Sequence, residues 1–377
     1  MAEFLPYGRQ SIVDADVAAV AEVLRGDWLT TGPAVERFEA DLAAVTGGTP
    51  AVAVTSGTAA LHVAYAAAGV GPGDEVVCTP MTFVATAAAA ALHGATVVFA
   101  DVSPETGNVE VPAVRAAITP RTKVVAAVDF AGHPAALDEL AQVAHDAGAL
   151  LLEDAAHSVG GTWRGRPVGA LADLTTFSFF PTKNLTTAEG GAVSCVDPEL
   201  LARARGFRNH GLVRDRDLQR FPDEGGWHQE VHAFGLNYRL PDVLCALGSS
   251  QLSRLDSFVA RRRALHARYD AGLSDVDGVA TPVTLPGAQP AWHLYALRVR
   301  DGRRRALYEH LRERGIGVQV NYVPVYWHPV FADLGYRRGL CPGAETFYAQ
   351  ELSLPLWPDL RDTDVDRVID EIRGFFA

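Results

Sequence analysis

At 377 residues, 48% hydrophobic and 21% charged, the chain has the balance of a soluble globular protein with room for two domains. Its formal net charge of -12 argues against nucleic-acid binding or a polybasic membrane role, because no basic stripe is available to neutralise phosphates. Cys78, Cys195, Cys245 and Cys341 are far apart and form no CxxC pair, which disfavours structural zinc and disulfides and fits a reducing cytoplasm.

The first ten residues, MAEFLPYGRQ, lack a charged segment followed by an apolar core, so no signal peptide is expected. SIVDADVAAVAEVLRGDW then reads as a helix whose packing partner the sequence leaves open. From about residue 50 to 196, seven short apolar runs read as buried strands: AVAVT, EVVCT, ATVVFA, KVVAAV, ALLLE, LTTFSFF and GAVSCV. Helix-like stretches such as SGTAALHVAYAAAG and AALDELAQVAHDAG separate several of them, and VATAAAAALHGA, too short to span a bilayer, reads as a core helix. This alternation predicts βαβ units and a mostly parallel sheet covered on both faces. GVGPGD, at 69 to 74, precedes a strand instead of following one, so it is a turn and no dinucleotide fingerprint.

Residues 251 to 273 show helical spacing and are expected to cross to a second part, with Arg261 to Arg263 on a solvated face. WHLYALRVR and GVQVNYVPVY read as strands there, and DGRRRALYEHLRERG and DTDVDRVIDEIRGFF as helices. The expected organisation is a large α/β domain over residues 1–250 and a smaller α+β domain over 251–377.

Ligands in such sheets bind beyond the carboxyl ends of the strands. AVAVT runs into Ser56-Gly57-Thr58, a small-residue turn opening a helix, whose free N–H groups suit a phosphate or simply a helix cap. ALLLE ends at Asp154, with His157 three residues on; alone, either residue is equally a structural one. LTTFSFF leads through Ser178 to Lys183. Among 33 Lys plus Arg, only Lys123 and Lys183 are lysines, and Lys123 reads as a surface charge. A lysine kept where arginine is the habit points to an amine that must lose its proton. Phosphate turn, strand-end carboxylate and strand-end amine together are what pyridoxal 5′-phosphate requires: an anion site, a partner for the pyridine nitrogen, and a Schiff-base lysine.

These segments are similar to the DegT/DnrJ/StrS sugar aminotransferases of the fold-type-I pyridoxal-phosphate superfamily. The resemblance runs through YGRQSI, DWLTTGP, SGTAALHVA, EDAAHSVGG, FSFFPTKNLTTAEGGAV, RNHG, GLNYRLPD and SLPLWPD. It implies that Lys183 bears the cofactor and shuttles the proton, that Asp154 pairs with the ring nitrogen, and that His157 lies near the ring. It implies also that Phe83 stacks on the ring, and that Gly57, Thr58 and Ser178 hold the phosphate. Asn237 would reach the phosphate from a neighbouring subunit, making a homodimer with shared active sites. Relatives with His in place of the lysine are sugar dehydratases, so Lys183 favours amino transfer.

By the same resemblance, L-glutamate donates the amino group and C4 of a nucleotide-linked 4-keto sugar accepts it. Several segments look most like UDP-4-amino-4,6-dideoxy-N-acetyl-β-L-altrosamine transaminases of pseudaminic acid synthesis, which implies Tyr7, Trp28, Thr30, Asn321 and Tyr322 as sugar-nucleotide contacts. Those enzymes commonly carry His at the position of Phe180 and a His-Tyr pair at the position of Asn321-Tyr322, and FFPTK is shared with other branches. FLP, WLTTGP, AWHL and SLPLWPD also resemble UDP-4-amino-4-deoxy-L-arabinose transaminases. Readings of other kinds are a non-catalytic pyridoxal-phosphate-binding regulator and a lyase acting on sulfur amino acids.

Overall fold

The computed structural model describes residues 4–377. The seven apolar runs form one sheet: β1 (Ala51–Val54), β2 (Glu75–Cys78), β3 (Thr96–Phe99), β4 (Thr122–Val128), β5 (Leu150–Asp154), β6 (Leu174–Ser178) and β7 (Gly191–Ser194). Their order is β1-β7-β6-β5-β4-β2-β3. The pairs β3–β2, β2–β4, β4–β5 and β5–β6 are parallel, and only β7 runs antiparallel to both of its neighbours.

The period of two along a strand explains why these runs are apolar throughout. Val124 and Ala126 of β4 face a core shared with the helix Gly57–Ala67, whereas Val125 and Ala127 face one shared with Leu137 and Leu140 of the helix Leu137–Asp146. With both faces covered, the polar side chains inside the strands are buried and bonded, as Thr175 is to Glu153 at 2.8 Å.

The smaller C-terminal domain has an antiparallel sheet of Val279–Ala280, Tyr295–Val299 and Glu351–Leu354. Its core joins Leu297 and Leu352 of that sheet to Leu265 and Tyr269 of the long helix Leu255–Leu273 and to Val368 of the helix Asp362–Phe376.

Three sequence expectations are corrected. The helix predicted over 251–273 is two helices, Asp242–Leu252 and Leu255–Leu273. Between them the Ser253 hydroxyl donates to the Ser250 carbonyl at 2.7 Å, a local bond that competes with helix continuation. GVQVNYVPVY is not a strand: it makes one isolated bridge, Gln319 to Ser353, after that of the preceding Ile316 to Leu5, and Pro324 ends any ladder. Arg262 is not on a solvated face but fully buried, because successive helix residues point about 100° apart and the middle arginine turns inward.

The N-terminal helix Asp14–Arg25 packs on Asp242–Leu252, where buried Asp16 accepts from Ser250 at 2.6 Å and Gln251 at 2.9 Å and pairs with Arg254 at 2.5 Å. A second carboxylate caps a helix from a distance. Gly32, preceding the helix Pro33–Val45, has no side chain to cap it, and buried Asp242 supplies one, accepting from Gly32 N at 2.9 Å and Ala34 N at 3.0 Å. Asp242→Ala leaves both N–H groups unsatisfied and is expected to lower unfolding stability by about 1–3 kcal/mol, read as an earlier chemical-denaturation midpoint.

Candidate active site

A cavity of about 640 Å3 opens beyond the carboxyl ends of β4, β5 and β6, against the N-terminus of the helix Gly57–Ala67. Of the residues singled out from sequence, Tyr7, Gly57, Thr58, Phe83, Asp154, His157, Ser178, Lys183, Asn321 and Tyr322 all line it. Parts of the chain more than 300 positions apart meet here. Trp28, Thr30 and Asn237 do not join them. Trp28 borders a cleft of about 360 Å3, and Thr30 a larger one of about 1010 Å3 that includes Asn209 and Arg239. Asn237 is exposed and bridges to Asn209.

Asp154, the last residue of β5, is 4% exposed, so its carboxylate needs partners. Thr86 Oγ1 donates to its Oδ2 at 2.7 Å, and the Ala156 N–H to its Oδ1 at 3.2 Å. Burial raises the Asp154 pKa, opposed by these two bonds and by the charge of Lys183. Lys183 follows β6 in a turn closed by its own N–H to the Phe180 carbonyl at 2.9 Å. Burial lowers its amine to about 8, with Asp154 pulling the other way. Such an amine holds its proton only loosely at neutral pH and can both give and take one.

His157 is buried, and burial, then the nearby Lys183, push its pKa well down, so it sits as a neutral ring. Its Nε2 meets Tyr322 Oη at 3.3 Å, its Nδ1 has no partner, and its ring lies 4.4 Å from that of buried His293.

At the helix entrance the Ser56 hydroxyl accepts from Ala59 N at 3.0 Å, leaving the Gly57 and Thr58 N–H groups at the unbonded end of the helix. A Cβ on Gly57 would lie 2.7 Å from Ser178 Cβ and 2.9 Å from its hydroxyl oxygen. Only glycine allows this close approach of backbone to hydroxyl. The resulting cradle of N–H groups and a hydroxyl fits a phosphate. With a carboxylate, a removable amine proton and an unpartnered imidazole nitrogen in the same cavity, the residues fit pyridoxal 5′-phosphate.

Sequence reading missed Thr86, His293 and Arg262. Arg262 stands behind the cavity and donates to the carbonyls of Lys183 (3.4 Å), Trp292 (3.3 Å), His293 (3.2 Å) and Leu356 (3.1 Å). Burial lowers its pKa to about 10. The available signals were a lone hydroxyl at the start of an alanine-rich helix, a histidine inside an apolar run, and an arginine at a core position of a helical repeat.

Comparison with known proteins places the chain. The model of the DegT/DnrJ/EryC1/StrS aminotransferase family matches residues 10–373. The spore coat polysaccharide biosynthesis protein SpsC of Bacillus subtilis is 40% identical over 376 residues, covering 98% of this chain and 96% of that one. Among solved structures, the aminotransferase TlmJ of Streptoalloteichus hindustanus has a TM-score of 0.92 at 37% identity, covering 98% of each chain. PseC of Helicobacter pylori, an aminotransferase involved in the biosynthesis of pseudoaminic acid, has a TM-score of 0.92 at 29% identity, covering 99% of each.

Amine-selective labelling of the apoprotein, located by peptide mass spectrometry, is expected to modify Lys183 increasingly as pH rises, with a midpoint near 8. Because Asp154 raises that value, Asp154→Asn is expected to shift the midpoint to lower pH; an unchanged midpoint contradicts the coupling.

Proposed function

We propose, from the premise that the chain belongs to the DegT/DnrJ/EryC1/StrS aminotransferase family, that it is a pyridoxal 5′-phosphate-dependent nucleotide-sugar aminotransferase. It takes the amino group from L-glutamate and passes it to C4 of a nucleotide-linked 4-keto-6-deoxy sugar. The observation that carries this reading is the single cavity holding the buried Lys183 amine, the Asp154 carboxylate and the Gly57–Ser178 cradle.

When bound, pyridoxal phosphate supplies an electron-accepting ring that stabilises negative charge at the carbon losing its proton. Gly57 and Thr58 N–H with the Ser178 hydroxyl would hold the phosphate, and Phe83 and His157 would confine the ring. Asp154, braced by Thr86, would keep the ring nitrogen protonated. Lys183 Nζ would take and return the proton of the amino-bearing carbon, a task its pKa of about 8 suits and an arginine could not perform.

For the acceptor, the reading favours the 6-deoxy N-acetyl sugar of the altrosamine type. It is supported by the sequence resemblance and by the likeness to the Helicobacter pylori enzyme. Phe180 departs from the altrosamine type, an apolar, 46% exposed ring on the cavity wall standing where those enzymes commonly have His; the second acceptor, a UDP-4-keto-pentose, is supported by the resemblance carried by FLP, WLTTGP, AWHL and SLPLWPD.

The reading includes a homodimer. Asn237 lies on an exposed segment beside Phe234, which is 98% exposed, and Thr30 borders the same cleft as its partner Asn209. Such a surface suits residues offered to a neighbour's cavity. Sedimentation is expected to give the mass of two chains, and Asn237→Ala to weaken cofactor binding about tenfold.

Conversion of the holoenzyme with L-glutamate, followed by single UDP- and dTDP-4-keto sugars, tests the reaction through the visible absorbance of the cofactor. Loss of absorbance with glutamate and its return with the 6-deoxy N-acetyl sugar alone is the expected result. Return with the keto-pentose selects the second acceptor. No response to any amino donor sinks the aminotransferase reading and leaves a cofactor-binding regulator. Lys183→Arg is expected to reduce turnover about 10³-fold or more.

A further inference from the structure

Behind the wall that Tyr7 and Asn321 present to the cavity lies a carboxyl group with no part in the chemistry above. Glu351 opens the strand Glu351–Leu354 and is fully buried, as is Ser353. Two residues apart on a strand, they share a face. Glu351 Oε2 accepts the Asn321 backbone N–H at 2.6 Å, and Oε1 accepts the Ser353 hydroxyl. Asn321 Nδ2 donates to Ser353 Oγ at 3.1 Å and to Tyr7 Oη at 2.7 Å.

The donor inventory of these groups sets the direction of each bond. An ionised carboxylate only accepts, so the single hydrogen of Ser353 is committed to Glu351 and its oxygen is left to accept. Asn321 must then turn its NH2, not its carbonyl, toward Ser353, because two acceptors cannot face each other. The second N–H satisfies the Tyr7 oxygen. What remains for the cavity is the Tyr7 O–H as donor and Asn321 Oδ1 as acceptor. With Glu351 protonated, its own hydrogen can serve the Ser353 oxygen, the Ser353 hydrogen is released, and the reversed Asn321 amide becomes equally satisfiable.

We infer that ionised Glu351 is a positioning residue for the acceptor: acting through Ser353, it locks the Asn321 amide so that the wall offers a Tyr7 donor beside an Asn321 acceptor. The ligand group this pair fits is one that both accepts and donates, a sugar hydroxyl or acetamido group. That the ligand is a sugar nucleotide rests on the function proposed above.

The lock is weighted toward alkaline pH. Burial pushes Glu351 up to about 8, opposed by the bonds from Ser353 and Asn321 N–H and by Arg304; Tyr7 and Tyr322 are the other titratable groups facing it. Below 8 the protonated form dominates and the amide is free to turn; above 8 it is fixed.

The test is calorimetric titration of the sugar nucleotide bearing a 4-hydroxyl in place of the 4-amino group into the cofactor-loaded Lys183→Ala protein across the pH interval around 8, which removes turnover, condensation of a product amine with the cofactor, and the titration of both that amine and Lys183. Affinity is expected to rise with pH through about 8, by up to about tenfold, the worth of one hydrogen bond. Glu351→Gln keeps the side-chain volume but presents an NH2 to Ser353, imitating the protonated state. It is expected to give the weaker affinity at every pH, and Ser353→Ala the same flat profile, with thermal unfolding confirming that both variants fold. In the parent holoenzyme the same substitutions are expected to raise the acceptor KM and leave the glutamate half-reaction unchanged. A Glu351→Gln protein that retains the pH-dependent affinity, or a parent profile flat through 8, overturns the positioning role. If amino transfer to the sugar proceeds normally in that case, the inference fails alone; if no keto-sugar nucleotide is aminated at all, the functional reading fails and the inference falls with it.

Discussion

The site depends on one cost, that of taking an amine and a carboxylate out of water together. Either ion buried alone would be strongly disfavoured and would shed its charge. Placed in one cavity, each partly restores what burial removes from the other: Asp154 pulls the Lys183 pKa back up, and Lys183 pulls the Asp154 pKa back down. The residual imbalance leaves an amine poised near 8. Neither side chain could hold its place without the sheet, because β5 and β6 are parallel neighbours that end on the same edge and deliver Asp154 and the approach to Lys183 side by side.

Much of this was legible in the chain itself, and the reason is physical. A strand covered on both faces is predominantly apolar, so seven such runs announce a sheet, and the polar residues just beyond them stand out. Asp154, Ser178 and Lys183 were visible for that reason, and Gly57 because a small-residue turn between strand and helix has few other uses. Helix continuity was harder to see. The break at Ser253 depends on one hydroxyl choosing a local carbonyl, and hydrophobic periodicity carries on across it undisturbed.

What escaped the sequence has a common character. Thr86, Arg262, Glu351 and Ser353 act on residues 68, 79, 30 and 32 positions away, respectively Asp154, Lys183 and, for the last two, Asn321. Their side chains are unremarkable in local context, and a motif cannot encode a partner that only the tertiary fold brings near. Arg262 is the plainest case. Among three consecutive arginines nothing marks the middle one except its angle around the helix, and a charge run reads as a wet surface until a set of carbonyls is seen to meet it.

Arg262 also has a mechanical meaning. Its four carbonyl partners belong to the loop bearing Lys183, to the segment entering the strand Tyr295–Val299, and to the chain just beyond the strand Glu351–Leu354. A single guanidinium thus pins the backbone behind the amine to the sheet that supports the opposite wall of the cavity. A helix of 19 residues anchors the pin. The gap between the two walls is thus bridged from behind, by a residue that is not among those lining the cavity.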